Sequence, residues 1–408
     1  MRGSGRNNRA ARRTVCGAAV AALALVAGAV PVTASTAAKP TGDPVKVMVI
    51  YEKSAGLPNP EIPDGAKAAA KALNKKNGVG GSPVKVLVCD TNNDPNTAAE
   101  CGRTAVDEGV VALIGVLTPH SAGFMPLMEE NKIPSIGVVA AGASDFTSPA
   151  AFPISGGLPA TAGDLPRFLA DAGAKKISIA RVDLAAAAII QNFAKTTLAK
   201  VNQQLVNDVP VPQSAPDMSS YVQASLANGT DGIVVALGGQ DSVNFVQAAK
   251  QADSKVKLAV ISTEPGDFQD ALGDQAAGII EGPAFLPPLS VKTKEGNRFL
   301  KEMKAAGYKD TSGFRINSWV AMQVLAQVAD GLPEVTAAAV FDKLNTTSGL
   351  ETGLTPPLQW TTPAEIGLPL PRVFNGCELA VKLTKGTKVK PVTGKFFDAF
   401  VGEECETP

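Results

Sequence analysis

The chain has 408 residues, enough for two domains of ordinary size, and 45% of them are hydrophobic while only 5% are aromatic. A full core is available, but recognition by aromatic stacking must rest on very few side chains. Its 38 basic and 38 acidic residues balance, yet five of the arginines fall within the first 13 positions. The remainder is therefore mildly acidic, about −5, with no basic stripe, which excludes nucleic acid as a partner.

In chain order, Arg2, Arg6, Arg9, Arg12 and Arg13 precede an uninterrupted small and apolar run from Gly17 to Val30, and no acid occurs before Asp43. That run is short for a transmembrane helix, which needs about 20 residues. Val32-Thr33-Ala34 supplies small residues where a signal peptidase cuts. Residues 1–38 are expected to be a cleaved signal peptide, and the mature chain an exported protein of the extracellular space or the cell envelope. An uncleaved anchor is the alternative, and Arg12-Arg13 leaves twin-arginine export open. No later segment is long and apolar enough to span a membrane. Cys16 lies in the leader ahead of the apolar run, not at its end, where lipid attachment would need a cysteine.

The first strand is expected over Val45–Tyr51, followed by an alanine-rich helix capped by Asp64 and running to about Asn77. The stretch 80–115 is the most informative in the chain. Gly80-Gly81-Ser82-Pro83 turns into an apolar strand over Pro83–Val88, suited to a buried parallel sheet. Asp94-Pro95 reads as an N-cap with proline at the first helical position. Ala98, Cys101 and Ala105 mark the buried helix face, and Val110–Ile114 is the next strand. A helix over Ser121–Glu130 and a strand over Ile133–Val139 follow. Short links between strands and helices are the mark of a parallel sheet with right-handed crossovers.

Beyond Phe152 the pattern starts afresh. Strands are expected over Lys175–Val182, Gln203–Val211, Gly232–Leu237 and Val256–Ser262, with helices over Ala185–Lys200, Asp217–Asn228 and Ser242–Ala252. Residues 293–306 and 313–330 are helical by periodicity and are assigned back to the first domain. Thr355–Pro371 reads as a linker or covering loop. Val373–Lys385, Thr387–Pro391 and Lys395–Ala399 read as short strands, with a turn at Gly386.

The mature chain keeps Cys89, Cys101, Cys377 and Cys405, an even number in an oxidising compartment, which allows three pairings. Proximity favours Cys89–Cys101 and Cys377–Cys405, each worth about 3 kcal/mol on the chain-entropy estimate. A zinc site is the rival reading, but there is no CxxC spacing and the sole histidine is His120. No cofactor is expected.

Several segments together resemble one family. They are the Gly80-Gly81 turn, Cys89 to Pro95 (CDTNNDP), Val111–Gly115, Ile133-Pro134-Ser135-Ile136, Asp217–Val222, Val235–Phe245 and Pro371-Arg372-Val373-Phe374-Asn375. In order and spacing they are similar to the type I periplasmic solute-binding proteins of branched-chain amino acid ABC importers, over nearly the whole mature chain. The resemblance implies an α/β fold of two doubly wound, Rossmann-like lobes joined by three crossovers, with lobe 1 over 45–155 plus 285–358 and lobe 2 over 156–284 plus 359–408. It also implies a small-molecule ligand held in the cleft, ABC importer permease subunits as partners, a monomeric state and no catalysis.

Ligands of open parallel sheets bind beyond the carboxyl ends of the strands. The candidate ligand-binding residues there are Tyr51, Ser54, Thr118, His120, Ser121, Ala140, Ala141 and Gly142 in the first lobe, and Asp183, Gly239, Gln240 and Glu264 in the second. Each has a plainer alternative: core packing for Tyr51, helix capping for Ser121, an ordinary surface role for His120, a turn for Gly238-Gly239 and a solvated strand end for Glu264. Where the resemblance implies serine and threonine hydroxyls for an amino acid's α-carboxylate and ammonium, this sequence has Pro119 and Gly142. Backbone groups of Ala140 and Ser121 remain to serve. Glu264 falls where the family places an acid opposite the ligand ammonium, and Asp183-Leu184-Ala185 departs from an aromatic-glycine pair.

The sequence thus points to an exported solute-binding protein for a small polar metabolite, an amino acid or amide-like compound. A secreted ligand sensor that presents its occupied form to a membrane receptor is the alternative. A hydrolase with a carboxylate pair is the third reading, but no spacing singles out such a pair.

Overall fold

The computed structural model describes residues 39–54, 58–261, 265–308, 313–386 and 388–408. The expected signal peptide with Cys16, the candidate Glu264, and Thr387 lie outside the described residues. Among the described residues, the strands form two sheets.

The first sheet holds β1 (Val45–Tyr51), β2 (Val84–Asp90), β3 (Ala112–Ile114), β4 (Ser135–Ile136) and β5 (Ala151–Phe152), all parallel, in the order β2-β1-β3-β4-β5. The second holds β6 (Ile177–Val182), β7 (Leu205–Val211), β8 (Gly232–Ala236), β9 (Lys257–Val260) and β10 (Ile280–Glu281), which repeat that order as β7-β6-β8-β9-β10. An antiparallel extension of β11 (Cys377–Leu383), β12 (Val389–Asp398) and β13 (Glu403–Glu404) completes it. Each sheet reverses direction of winding once, between β1 and β3 in the first lobe and between β6 and β8 in the second. The chain passes between the sheets after β5, after β10 and again ahead of β11.

The helices are α1 (Ile62–Leu73), α2 (Pro95–Asp107), α3 (Met125–Glu130), α4 (Gly157–Asp171), α5 (Ile190–Ala199), α6 (Ser219–Leu226), α7 (Gly239–Ala252), α8 (Pro265–Leu272), α9 (Lys294–Ala306), α10 (Gly313–Ala329) and α11 (Ala337–Leu344). The inner strands β1, β3, β6, β8 and β9 are buried on both faces, as a parallel sheet between helix layers requires. Val47 and Val49 join a core with Ile62, Ala66, Phe299 and Trp319, while Met48 and Ile50 face Ala98, Cys101, Leu113 and Phe124. In the second lobe Ile179 and Val234 face Phe193 and Leu198, whereas Ile233 and Val235 face Phe245 and Val246. Helices α9 and α10 pack on α1. There a Cβ on Gly65 would lie 2.0 Å from the Arg315 carbonyl oxygen, so only glycine lets the two helices approach this closely.

Several local expectations need correction. Asp64 is not the cap of α1: Glu61 holds that position, and Asp64 sits in the first turn, 3.4 Å from Arg315 Nη2. The expected helix over Ser121–Glu130 divides into a 3₁₀ turn, Ser121–Gly123, and α3, which begins with Pro126 in its first turn. The strand expected over Ile133–Val139 shrinks to Ser135–Ile136, since Gly137 takes φ +71° and ends it. The two strands expected near the C-terminus form one, β12. The helix α4 escapes sequence reading because it contains Pro159 and Pro166, which disfavour helix interiors. It forms because Leu165, Phe168 and Leu169 are buried against the second sheet.

Each lobe carries one disulfide. Cys89–Cys101 ties β2 to α2 with 5.8 Å between Cα atoms, and Cys377–Cys405 ties β11 to the C-terminal segment with 6.3 Å. These are the pairings that proximity favours.

Candidate functional site

At the reversal point of the first sheet, the residue after β1 is Glu52, which is completely buried. Its Oε1 accepts hydrogen bonds from Thr118 Oγ1 (2.8 Å) and Thr91 Oγ1 (3.1 Å). Thr91 follows β2, and Thr118 lies in the loop after β3. Asn59 adds to the knot: its N–H donates to the Glu52 carbonyl (2.8 Å) and its Nδ2 to the Leu117 carbonyl (3.3 Å). One buried carboxylate therefore joins the carboxyl ends of three neighbouring strands. Burying it is tolerable because hydroxyl donors replace water.

The Thr118 hydroxyl is fully engaged, since it also accepts the His120 N–H at 3.2 Å. His120 is half-buried and its Nε2 pairs with Asn93 Oδ1 at 2.8 Å. Tyr51 is half-buried against the first core. Burial, then Asp90 and Asp64 nearby, push its phenol pKa up. Ser54 is exposed.

The neighbouring loop after β4 turns on Asp145, only 2% exposed. Its Oδ2 accepts the N–H groups of Ala141 (2.9 Å) and Gly142 (2.8 Å). Burial raises its pKa, while the Gly142 and Ala141 N–H groups and the Ser121 hydroxyl pull it back. Ser121 acts from further off: its buried Oγ makes no hydrogen bond of normal geometry, nor does Asp145 Oδ1. The two loops are tightly apposed, so that a Cβ at Gly142 would lie 2.6 Å from Ser121 Oγ and 3.1 Å from the Pro119 carbonyl oxygen.

At the reversal point of the second sheet the surroundings are more open. Asp183 follows β6, its N–H donates to Val211 O (2.8 Å), and its exposed carboxylate has no hydrogen bond or ion pair among the described residues. The helix α7 starts at Gly239 (φ +43°) with Gly238 as its N-cap, and no described heavy atom lies within 4 Å of a Cβ built at either glycine. Gln240 is exposed and its Nε2 donates to Asn244 Oδ1 at 2.9 Å.

The structure thus brings Thr118, His120, Ser121, Ala140, Ala141 and Gly142 into one pair of loops beside Tyr51, and sets Asp183, Gly239 and Gln240 around the second reversal point. No hydrogen bond joins the two groups among the described residues. Sequence reading missed Glu52 and Asp145. Glu52 carried no signal, being a lone acid after a strand. Asp145 did carry one, because an acid three residues after Gly142 matches half of a capping box. Among the described residues no group of three histidine, cysteine or acidic side chains could hold a metal ion. No helix there is long and apolar enough to cross a membrane.

The lobes touch near this loop pair. Phe146, at the end of the turn that holds Asp145, packs on the second-lobe core, and its carbonyl accepts the Arg372 N–H at 3.1 Å. The Arg372 Nε donates to the Ala151 carbonyl (2.8 Å), and its guanidinium lies over the rings of Phe374 (4.6 Å) and Phe152 (4.9 Å). Burial lowers its pKa to about 10. Arg372 thereby clamps the third crossover to the edge of the first sheet.

Comparison with known proteins agrees with this architecture. A family model described as "Periplasmic binding protein" matches residues 44–365. The Leu/Ile/Val-binding protein homolog 6 of Brucella melitensis is 28% identical over 241 residues, which is 56% of this chain and 61% of that protein. The match thus takes in less than two thirds of the relative's length; the Brucella abortus counterpart matches to the same extent. Among solved structures, an ABC transporter substrate-binding protein from Sphaerobacter thermophilus has a TM-score of 0.74 at 16% identity, covering 88% of this chain and 99% of that one. A branched-chain amino acid transporter substrate binding protein from Streptococcus pneumoniae, in complex with isoleucine, has a TM-score of 0.70 at 15% identity, covering 86% and 99%. With a family model spanning most of its length, the chain belongs to the periplasmic binding protein family, and the same doubly wound order in both sheets gives it the type I fold.

Proposed function

We propose that this protein is an exported solute receptor that captures a small polar metabolite, an amino acid or amide-like compound, between its lobes and delivers it to an ABC importer. The observation that carries this reading is the placement of the polar loops at the reversal points of two sheets with the same strand order. Ligands of doubly wound sheets settle at that place. Residues Tyr51, Ser54, Thr118, His120, Ser121, Ala140, Ala141 and Gly142 belong to one wall of the cleft, and Asp183, Gly239, Gln240 and Glu264 to the other. Closure is a hinge motion through the three crossovers, driven by ligand contacts available only when both walls engage. The permease subunits of the importer are the partners, the protein acts as a monomer, and residues 1–38 are the signal peptide removed on export.

The test is a screen of amino acids, amides, ureas and small aromatic acids by thermal shift and titration calorimetry on the mature chain. The expected result is saturable binding of at least one compound with a concentration-dependent rise in Tm. A folded protein whose Tm moves with none of them contradicts the reading. N-terminal sequencing of the exported protein, expected to begin near residue 39, checks the leader.

A further inference from the structure

Resting on the reading of this loop pair as one wall of a ligand cleft, we infer that Asp145 fills the anion-accepting position of that wall itself. The ligand then presents N–H donors and no free carboxylate there, as an amide or amine does. The argument begins with the backbone of Val139 to Gly142. The Val139 N–H donates to the Val116 carbonyl (2.8 Å), and the Ala141 and Gly142 N–H groups both donate to Asp145 Oδ2 (2.9 and 2.8 Å). Of these four, only Ala140 has an N–H with no acceptor among the described residues. The carbonyl oxygens of Val139, Ala140 and Ala141, by contrast, accept no hydrogen bond among the described residues. The loop is therefore depleted of donors and rich in acceptors.

The facing loop has the same bias. The Thr118 hydroxyl donates to Glu52 Oε1 (2.8 Å), so its proton is not available to a ligand anion. Ser121 is completely buried, and its hydroxyl acts on the Asp145 carboxylate, whose pKa it helps to hold down, so that its proton too is turned to Asp145 rather than to a ligand anion. A hydroxyl can accept from an amide N–H. A carboxylate entering here would meet the buried Asp145 with the neighbouring Ala141 and Gly142 N–H groups already engaged. An ammonium or carboxamide NH₂ would find three free carbonyl oxygens instead. On the second wall the unpaired carboxylate of Asp183 suits a donor as well.

The experiment compares matched pairs: leucine with leucinamide, and acetate with acetamide, by calorimetry and thermal shift on the native mature chain. The expected outcome is binding of an amide member at least tenfold tighter than its acid. The variant Asp145→Ala, which frees two N–H groups, should improve binding of the acid member at least tenfold. Asp145→Asn still offers an oxygen to both N–H groups and should keep the native preference, which guards against misfolding of the alanine variant. An acid member that binds the native protein as tightly as its amide overturns the inference and leaves the solute-receptor reading intact. So does an amide preference unchanged in a folded Asp145→Ala protein. Absence of binding by either member of both pairs, with no other solute shifting Tm, overturns both.

Discussion

Each lobe buries carboxylates, and the two lobes treat them differently. In the first, Glu52 accepts from two threonine hydroxyls and Asp145 from two backbone N–H groups, and both stand at loops that follow strands. In the second, Asp164 and Glu378 are also inside, at 0% and 1% exposure; like Asp145 each leaves one oxygen without a partner, but each has a single donor among the described residues. Asp164 Oδ1 accepts the Ala399 N–H (2.9 Å), and Glu378 Oε1 accepts the Thr161 hydroxyl (3.0 Å). The difference teaches that burial alone does not define a carboxylate's role: each donor pulls a buried acid's pKa back, so that Asp145 with its N–H donors is raised, whereas Asp164 and Glu378 with one donor each are raised well above their ordinary values. Four experiments, including the ligand pairs above, can break or sharpen that contrast.

The largest effect is expected at Glu52. Glu52→Ala removes the acceptor shared by Thr91 and Thr118 and unties the ends of three strands, leaving two buried hydroxyls to find other partners. We expect a loss of about 3 kcal/mol, read as a lower urea midpoint with an unchanged m-value. A loss below about 1 kcal/mol would mean that the knot is incidental.

Next come Asp164 and Glu378. Burial raises both pKa values well above 3.8 and 4.5, and for Asp164 the neighbouring Glu378 and Asp398 add to the rise while Arg167 opposes it. An acid with a raised folded-state pKa binds more protons folded than unfolded, so stability falls as pH rises through the interval between the unfolded and folded values. The stabilising contribution is complete below about pH 4 and lost at higher pH. Glu378→Gln or Asp164→Asn, which need not ionise, should therefore stabilise the protein by about 1–2 kcal/mol at pH 7 and have little effect near pH 3.5. Glu52→Gln should show the opposite sign, because it puts an NH₂ group, which needs acceptors, into a buried knot built around an acceptor. Equal signs at the two places would erase the distinction between the lobes.

The sequence made the longer parallel strands of both sheets legible, because β-branched runs in a sheet interior leave a continuous apolar signal: β1 begins and ends where Val45 and Tyr51 place it, whereas β5, β10 and β13 went unread. Both disulfides followed from spacing. Short elements were not legible. The strand β4 is two residues long because of the backbone of Gly137, and α4 forms through tertiary burial that outweighs its prolines. At the site, loop positions were readable from strand ends, but the direction of each hydrogen bond was not. Thr118 reads as a hydroxyl available to a ligand until it is seen to donate to Glu52, and Ala141 and Gly142 read as cleft positions with no sign that Asp145 accepts from the N–H groups of both. Nothing in one dimension tells that an acid one residue after a strand points inward.

The smallest effect tests whether the first wall is fixed by contact between its two loops. Gly142 has φ −111°, so glycine is not needed for backbone reasons. It is needed for space: a methyl group would come within 2.6 Å of Ser121 Oγ and 3.1 Å of the Pro119 carbonyl oxygen. The hydroxyl can rotate or withdraw, but the carbonyl belongs to the backbone and moves only with its loop. Gly142→Ala should therefore cost about 1 kcal/mol, the low end of overpacking penalties, because one of the two obstructions yields. Gly142→Thr, which writes back the residue type the family resemblance leads one to expect, should cost more and fail to create affinity for an α-carboxylate, since its side chain enters occupied space. If the threonine variant instead folds with native Tm and binds leucine, the apposition of the loops is loose, and the first wall is shaped by the ligand rather than ahead of it.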